Sequence, residues 1–186
     1  MFDRYNRRIN YLRISVTDRC NFRCTYCMPE EGIPLKKQKD ILSYNEIAEI
    51  VKTGVELGLS KIRLTGGEPL IRNDLYVLVK MLSELEGIND IGLTTNGVFL
   101  PRQAKLLKEA GLNRVNISLD TLNPEKFKQI TRLGKLEDVL AGIDAGLSPR
   151  RRLLDAELGE TILDCPGHPA QRVDLVTLFA DHHPSF

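Results

Sequence analysis

Apolar and polar residues alternate along four short stretches of the chain: Tyr11 to Thr17, Lys61 to Thr65, Asp90 to Thr95 and Arg114 to Leu119. A period of two places Leu12, Ile14 and Val16 on one side of an extended chain and Arg13, Ser15 and Thr17 on the other, which predicts a strand with one buried face. The remaining three divide alike. Ile62 and Leu64 oppose Arg63 and Thr65; Ile91 and Leu93 oppose Gly92, Thr94 and Asn96; Val115, Ile117 and Leu119 oppose Asn116, Ser118 and Asp120. Four strands are therefore expected to share one polar face.

Between these stretches the apolar period lengthens to three and four. Ser43 and Glu46 have capping-box spacing ahead of Ile47, Ile50, Val51 and Val55, which fall on one helical face, and Gly58 suits a left-handed stop. Leu75, Leu78, Val79 and Leu82 repeat the spacing after Asn73. A third helix is expected from about Pro101 to Gly111, and Asn123-Pro124 reads as an N-cap followed by a first-turn proline.

Strand followed by helix, repeated along the chain, predicts βαβ units, a parallel sheet and right-handed crossovers. Crossover helices must bury the apolar faces, so the polar face is expected to line a concave interior. The fold class is α/β, an incomplete parallel (β/α) partial TIM barrel of about four βα units with an irregular tail. A sheet with helices on one side and solvent on the other is the alternative, although parallel sheets seldom leave a face open. After Pro149 the pattern breaks down: residues 150–186 contain no lysine, all three histidines and no sustained period. A core of residues 1–149 and a divergent tail of 150–186 are expected. Arg150 to Arg152 read as a solvated boundary run, and Val173 to Ala180 as a strand or short helix.

A length of 186 residues suits one domain with a real core, and a net charge of +1 points to neither nucleic acid nor an anionic membrane. Apolar runs are only a few residues long and the opening MFDRYNRRIN has no apolar segment, so neither a membrane span nor a secretory signal is visible. The expected location is the cytoplasm. Disulfides rarely persist there, so clustered cysteines read as ligands or catalytic thiols.

Such a cluster exists. Cys20, Cys24 and Cys27 are three of the chain's four cysteines. Thiolates select zinc, copper(I) or iron-sulfur clusters, and structural zinc normally takes four Cys or His ligands. No histidine precedes His168, so a zinc site would have to recruit Cys165, His168 or a later residue from the tail. A cubane cluster held by three cysteines keeps one iron open, which suits direct binding of a small molecule.

The spacing Cys20-x3-Cys24-x2-Cys27, with Tyr26 just before the last cysteine, resembles the signature of the radical S-adenosylmethionine (AdoMet) enzymes. That resemblance implies the fold type of that family and a 4Fe-4S cluster whose open iron binds AdoMet. Thr65-Gly66-Gly67-Glu68-Pro69, which closes the second strand, resembles the family's AdoMet-binding motif, and its glycines let backbone approach a ligand. Residues 11 to 29, 61 to 72, 91 to 97 and 116 to 122 together resemble the GTP 3′,8-cyclase family of molybdenum cofactor biosynthesis. These are lyases that convert GTP to 3′,8-cyclo-7,8-dihydro-GTP through a 5′-deoxyadenosyl radical.

The resemblance implies roles residue by residue. Cys20, Cys24 and Cys27 would ligate the cluster; Tyr26, Gly67 and Ser118 would contact AdoMet; Arg13, Arg63 and Thr94 would contact GTP. For the two arginines a structural ion pair is the alternative. An electron donor for the cluster is implied as a partner. The resemblance stops near residue 149, whereas the family continues into further βα units and a second three-cysteine cluster. Only Cys165 remains here, so the chain reads as a truncated relative and the second cluster is not expected. A sheet edge left bare after the fourth strand would be covered by the tail or by a second copy, so a homodimer is one expectation. Readings from other classes are a non-catalytic iron-sulfur or zinc-binding fragment and a different radical AdoMet enzyme.

Overall fold

The computed structural model describes residues 2–147 and 173–176. Strands β1 (Tyr11–Ser15), β2 (Lys61–Thr65), β3 (Asp90–Thr95) and β4 (Arg114–Leu119) lie in chain order, each parallel to the next. Helices α1 (Tyr44–Glu56), α2 (Leu75–Ser83) and α3 (Leu100–Glu109) make the crossovers, and α4 (Pro124–Thr131) and α5 (Leu136–Gly146) follow β4. The expected partial-barrel alternation is therefore present.

The apolar strand faces meet the helices. Ile62, Leu64, Ile91, Leu93, Val115 and Ile117 are at most 1% exposed and pack in one core with Ile47 and Val51 of α1, Leu78 and Leu82 of α2 and Leu107 of α3. Local chemistry sets the helix ends as expected: the Ser43–Glu46 capping box forms, the Asn123 side chain accepts from the Lys126 amide, and Gly58 and Gly111 adopt φ of +95° and +102°.

Four details differ from the sequence reading. Ile50 is 51% exposed, because it falls at the margin of the α1 stripe rather than within it. Strand β1 ends at Ser15: beyond it the Val16 amide donates to the carbonyl of Thr65, the last residue of β2, at 2.8 Å, and the Thr17 carbonyl accepts from the Gly67 amide of the loop after β2 at 2.8 Å. Helix α2 begins after Asp74, which holds a left-handed φ of +54°. Helix α5 was not anticipated, although Leu136, Val139 and Ile143 carry its core-facing spacing. It packs close to the loop after β3, where a side chain at Gly142 would collide with the Gly97 carbonyl.

A fifth strand, β5 (Val173–Val176), pairs antiparallel with β4, with Asn116 opposite Val176 and Leu119 opposite Val173. Of the two covers expected for the edge of β4, the tail and a second copy, a segment of this chain's own tail takes it. The arginine run at 150–152, Cys165, the three histidines and residues 177–180 lie outside the described residues. Among the described residues no helix is long and apolar enough to cross a membrane.

Candidate functional site

Parallel strands send all their C-terminal ends to one edge of the sheet, and ligands of open and closed α/β folds bind there. The loop after β1 carries the cysteines, the loop after β2 carries Gly66, Gly67 and Glu68, and Asn96 and Asp120 follow β3 and β4. These loops enclose a cavity of about 130 Å³. Eight of the nine residues singled out by sequence line it: Arg13, Cys20, Cys24, Tyr26, Cys27, Gly67, Thr94 and Ser118.

Arg63, the ninth, is placed beside that wall. It stands directly across from Arg13 in the β1–β2 register, and its Nη1 donates to Thr94 Oγ1 at 3.3 Å. The polar face continues as a row through Gly92 to Arg114, where the missing side chain of Gly92 leaves room for the Arg114 guanidinium. Arg114 is committed to an ion pair with Asp90 at 2.6 Å, whereas no ion pair engages Arg13 or Arg63 among the described residues. The Nε of Arg63 and the Oδ1 of Asn116, both on this face, are buried without a hydrogen-bond partner. Buried polar atoms of this kind call for a ligand or water.

The cysteine loop is a tight, braced turn. Cys27 and Met28 amides donate to the Cys24 carbonyl at 2.9 and 3.2 Å, and Arg23 Nη1 donates to the Cys20 and Phe22 carbonyls, both at 2.9 Å. All three thiols are free; Cys20 and Cys24 are half-buried and Cys27 is exposed. Burial pushes the Cys20 thiol pKa up and that of Cys24 up to about 11, so these sulfurs stay protonated until a metal's charge offsets the desolvation.

Backbone proximity explains the glycines. A Cβ on Gly67 would collide with the Arg19 carbonyl, and the Glu68 amide donates to that same carbonyl at 2.7 Å, so the loop after β2 lies against the residue preceding Cys20. Glu68, only 1% exposed, then turns its carboxylate inward. It accepts from Thr95 Oγ1 at 2.6 Å, the Asn96 amide at 2.7 Å and the Leu70 amide at 3.0 Å. Asn96 passes the link on, its Nδ2 donating to Asn21 Oδ1 at 2.8 Å within the cysteine loop. Across the mouth, the Tyr26 hydroxyl donates to Asp120 Oδ2 at 2.9 Å.

Glu68 lies in the Thr65–Pro69 motif and Asn96 and Asp120 continue the polar strand face, but the sequence pattern alone does not assign them to the site. Their positions at strand ends were the available signal. Phe127 and Thr131 of α4 also line the cavity, and nothing in their local sequence marks them.

The donor set fits an iron-sulfur cluster. Among the described residues no three His, Cys, Asp or Glu side chains converge on a point where one metal ion would be held. The three thiols nonetheless face one cavity, as ligands to different irons of a polynuclear cluster must.

Comparison with known proteins agrees with this geometry. Residues 14–146 match the Radical SAM superfamily. The chain is similar to GTP 3′,8-cyclases: 58% identical over 153 residues to that of Alkaliphilus oremlandii, covering 80% of this chain and 48% of that protein. To that of Peptoclostridium acidaminophilum it is 60% identical, covering 80% and 47%. The chain thus spans about half the length of the curated relatives it matches. Solved structures of similar fold include methylornithine synthase, with a TM-score of 0.58 and 19% identity over 73% of this chain and 40% of that one. Another is anSMEcpe with bound AdoMet, at TM-score 0.55 and 20% identity over 73% and 38%.

Proposed function

This chain belongs to the radical SAM superfamily, and from that premise we propose that it is a GTP 3′,8-cyclase-type lyase core of molybdenum cofactor biosynthesis. The observation that carries the reading is the convergence of Cys20, Cys24 and Cys27 with Gly67, Ser118, Thr94 and Arg13 on one cavity at the strand ends. Superfamily membership implies a 4Fe-4S cluster and AdoMet. Here Cys20, Cys24 and Cys27 would hold three irons, with the fourth left open. When bound, the reduced cluster supplies the electron for cleavage of AdoMet. Everything else falls to the protein's own groups.

In this reading Gly67 and Ser118 border AdoMet from two strand ends and Tyr26 borders it from the cysteine loop. The glycine's contribution is space: only a residue without a side chain lets the backbone after β2 lie against the cysteine loop. Arg13 and Arg63, adjacent on β1 and β2, would take the phosphates of GTP, for which a guanidinium's forked donors are suited. The orphaned Nε of Arg63 is a donor in search of an acceptor. Thr94, already bonded to Arg63, would share that ligand and hold the ribose at a fixed distance from AdoMet. Residues 1–149 form the working core in this account, residues 150–186 a divergent tail, with a cytoplasmic setting and an external electron donor.

A second reading follows from the chain spanning about half of its relatives. It would bind the cluster and cleave AdoMet without cyclising GTP. One experiment separates the two: reconstitute the chain anaerobically with iron and sulfide, add dithionite and AdoMet with and without GTP, and analyse products. Near four irons per chain, 5′-deoxyadenosine and cyclised GTP support the first reading. Deoxyadenosine alone supports the second. Tightly held zinc with no iron uptake overturns both.

A further inference from the structure

Arg132 stands at the centre of the turn that ends α4, with φ of +60° and ψ of −48°. The Leu133 amide donates to the Thr131 carbonyl at 2.7 Å, which closes a three-residue γ-turn of the positive-φ kind. That conformation is rare and strained for any residue with a side chain. Among the described residues the other non-glycines with positive φ are Asn6 and Asp74, types that tolerate it; arginine does not. Strain of this sort persists only where the surroundings over-determine it.

The surroundings are the cysteine loop. Arg132 Nη1 donates to the carbonyl of Arg23 at 2.7 Å and to that of Met28 at 3.1 Å, the residues just before Cys24 and just after Cys27. In the opposite direction the last carbonyls of α4, which no helical amide can reach, accept from the loop. Thr25 donates its amide to the Ile130 carbonyl at 2.9 Å and Arg23 its amide to the Thr131 carbonyl at 3.0 Å. Phe22 and Phe127 meet edge to face at 6.0 Å between centroids and seal the contact with apolar surface. The loop that carries the thiols is thus anchored on a helix end distant in sequence, and one guanidinium spans the Cys24–Cys27 turn.

We infer that Arg132 is a positioning residue for the cluster loop, fixing its two ends so that the thiols are presented before iron arrives. The inference rests on the cluster reading proposed above. A loop already ordered spends none of the metal's binding free energy on its own ordering, whereas a loose one does. The γ-turn is required because a continued helix would aim residue 132 elsewhere and withdraw the Ile130 and Thr131 carbonyls from the loop amides.

The test uses the full chain with Arg132→Gly, Arg132→Asn and Arg132→Lys. Glycine and asparagine accept positive φ and cannot bridge both carbonyls, while lysine keeps a charged donor. Each protein is melted metal-free by circular dichroism, then reconstituted anaerobically with ferrous iron and sulfide and challenged with a chelator. Expected are a wild-type melting temperature for the Gly or Asn variant, release of iron about tenfold or more faster, and an altered electron paramagnetic resonance spectrum of the reduced cluster. Lysine should restore part of the retention. Wild-type release rates and spectrum in a variant that melts normally overturn the inference. So does failure of both small variants to melt like the wild type, which would make Arg132 a residue of the fold alone. If the wild-type chain itself takes up no iron, the cluster reading falls and the inference with it.

Discussion

The carboxylate of Glu68 lies 2.6 Å from the hydroxyl of Thr95 and ties the end of β2 to the end of β3 from inside the protein. Its remaining bonds, to the Asn96 and Leu70 amides, give it three donors in a nearly dry setting. Replacing Glu68 by Gln keeps the volume but turns an NH2 group toward one of those donors. The expected loss is about 1–3 kcal/mol of folding stability, read by urea unfolding at neutral pH.

The same residue carries a pH signature. Burial pushes the Glu68 carboxyl above its ordinary value of 4.5, against the pull of its hydrogen bonds to Asn96, Thr95 and Leu70. The folded chain therefore holds this proton more tightly than the unfolded chain does. The resulting stability is complete below pH 4.5 and is lost as pH rises through the raised value. Urea midpoints of wild type and Glu68→Gln should accordingly draw closer as pH climbs from 4.5; a widening gap would mean that the carboxylate form is preferred.

Gly67→Ala tests the close approach of the two ligand-bearing loops. The new methyl group meets the Arg19 carbonyl and must push the loop after β2 away from the residue before Cys20. A stability loss of about 1–3 kcal/mol is expected, together with weakened AdoMet binding to the reconstituted chain by calorimetry. Binding unchanged would show that the loops separate without consequence.

Arg13 is exposed on β1 and its guanidinium makes one long contact, 3.5 Å to Thr65 Oγ1, so Arg13→Ala should leave the melting temperature within error. GTP affinity should fall by about tenfold or more, with a shallower salt dependence than the wild type. Equal affinities for GTP would remove Arg13 from the substrate reading.

Phe127 is 1% exposed, meets Phe22 of the cysteine loop and lines the cavity. Phe127→Ala should cost about 3–5 kcal/mol, and metal-free protein should show faster proteolysis at the cysteine loop. A stability loss without any change at that loop would place Phe127 in the core only.

Much of the architecture was legible because it is written in local periods. Two-residue alternation in Ile62–Thr65 or Val115–Ser118 assigns faces to a strand whatever its neighbours are, and the Ser43–Glu46 box acts within one helical turn. The cysteine spacing was legible for a like reason: three ligands to one object must be close in space, and here they are close in sequence. Helix α5 and the exposure of Ile50 were not legible in the same way, because a stripe's edges depend on what packs against it.

By itself, then, the sequence determined the order of strands and helices, the polar face and the three thiols, all of which follow from contacts within a few residues. Only the tertiary structure decided that Glu68 faces inward to Thr95, that Arg63 backs Thr94, that β5 takes the edge of β4, and that Arg132 clasps the cysteine loop. Each of these joins residues from about 27 to more than 100 positions apart. No period or motif encodes such pairings; they arise when packed helices and a twisted sheet bring remote backbone carbonyls and buried charges within hydrogen-bonding reach.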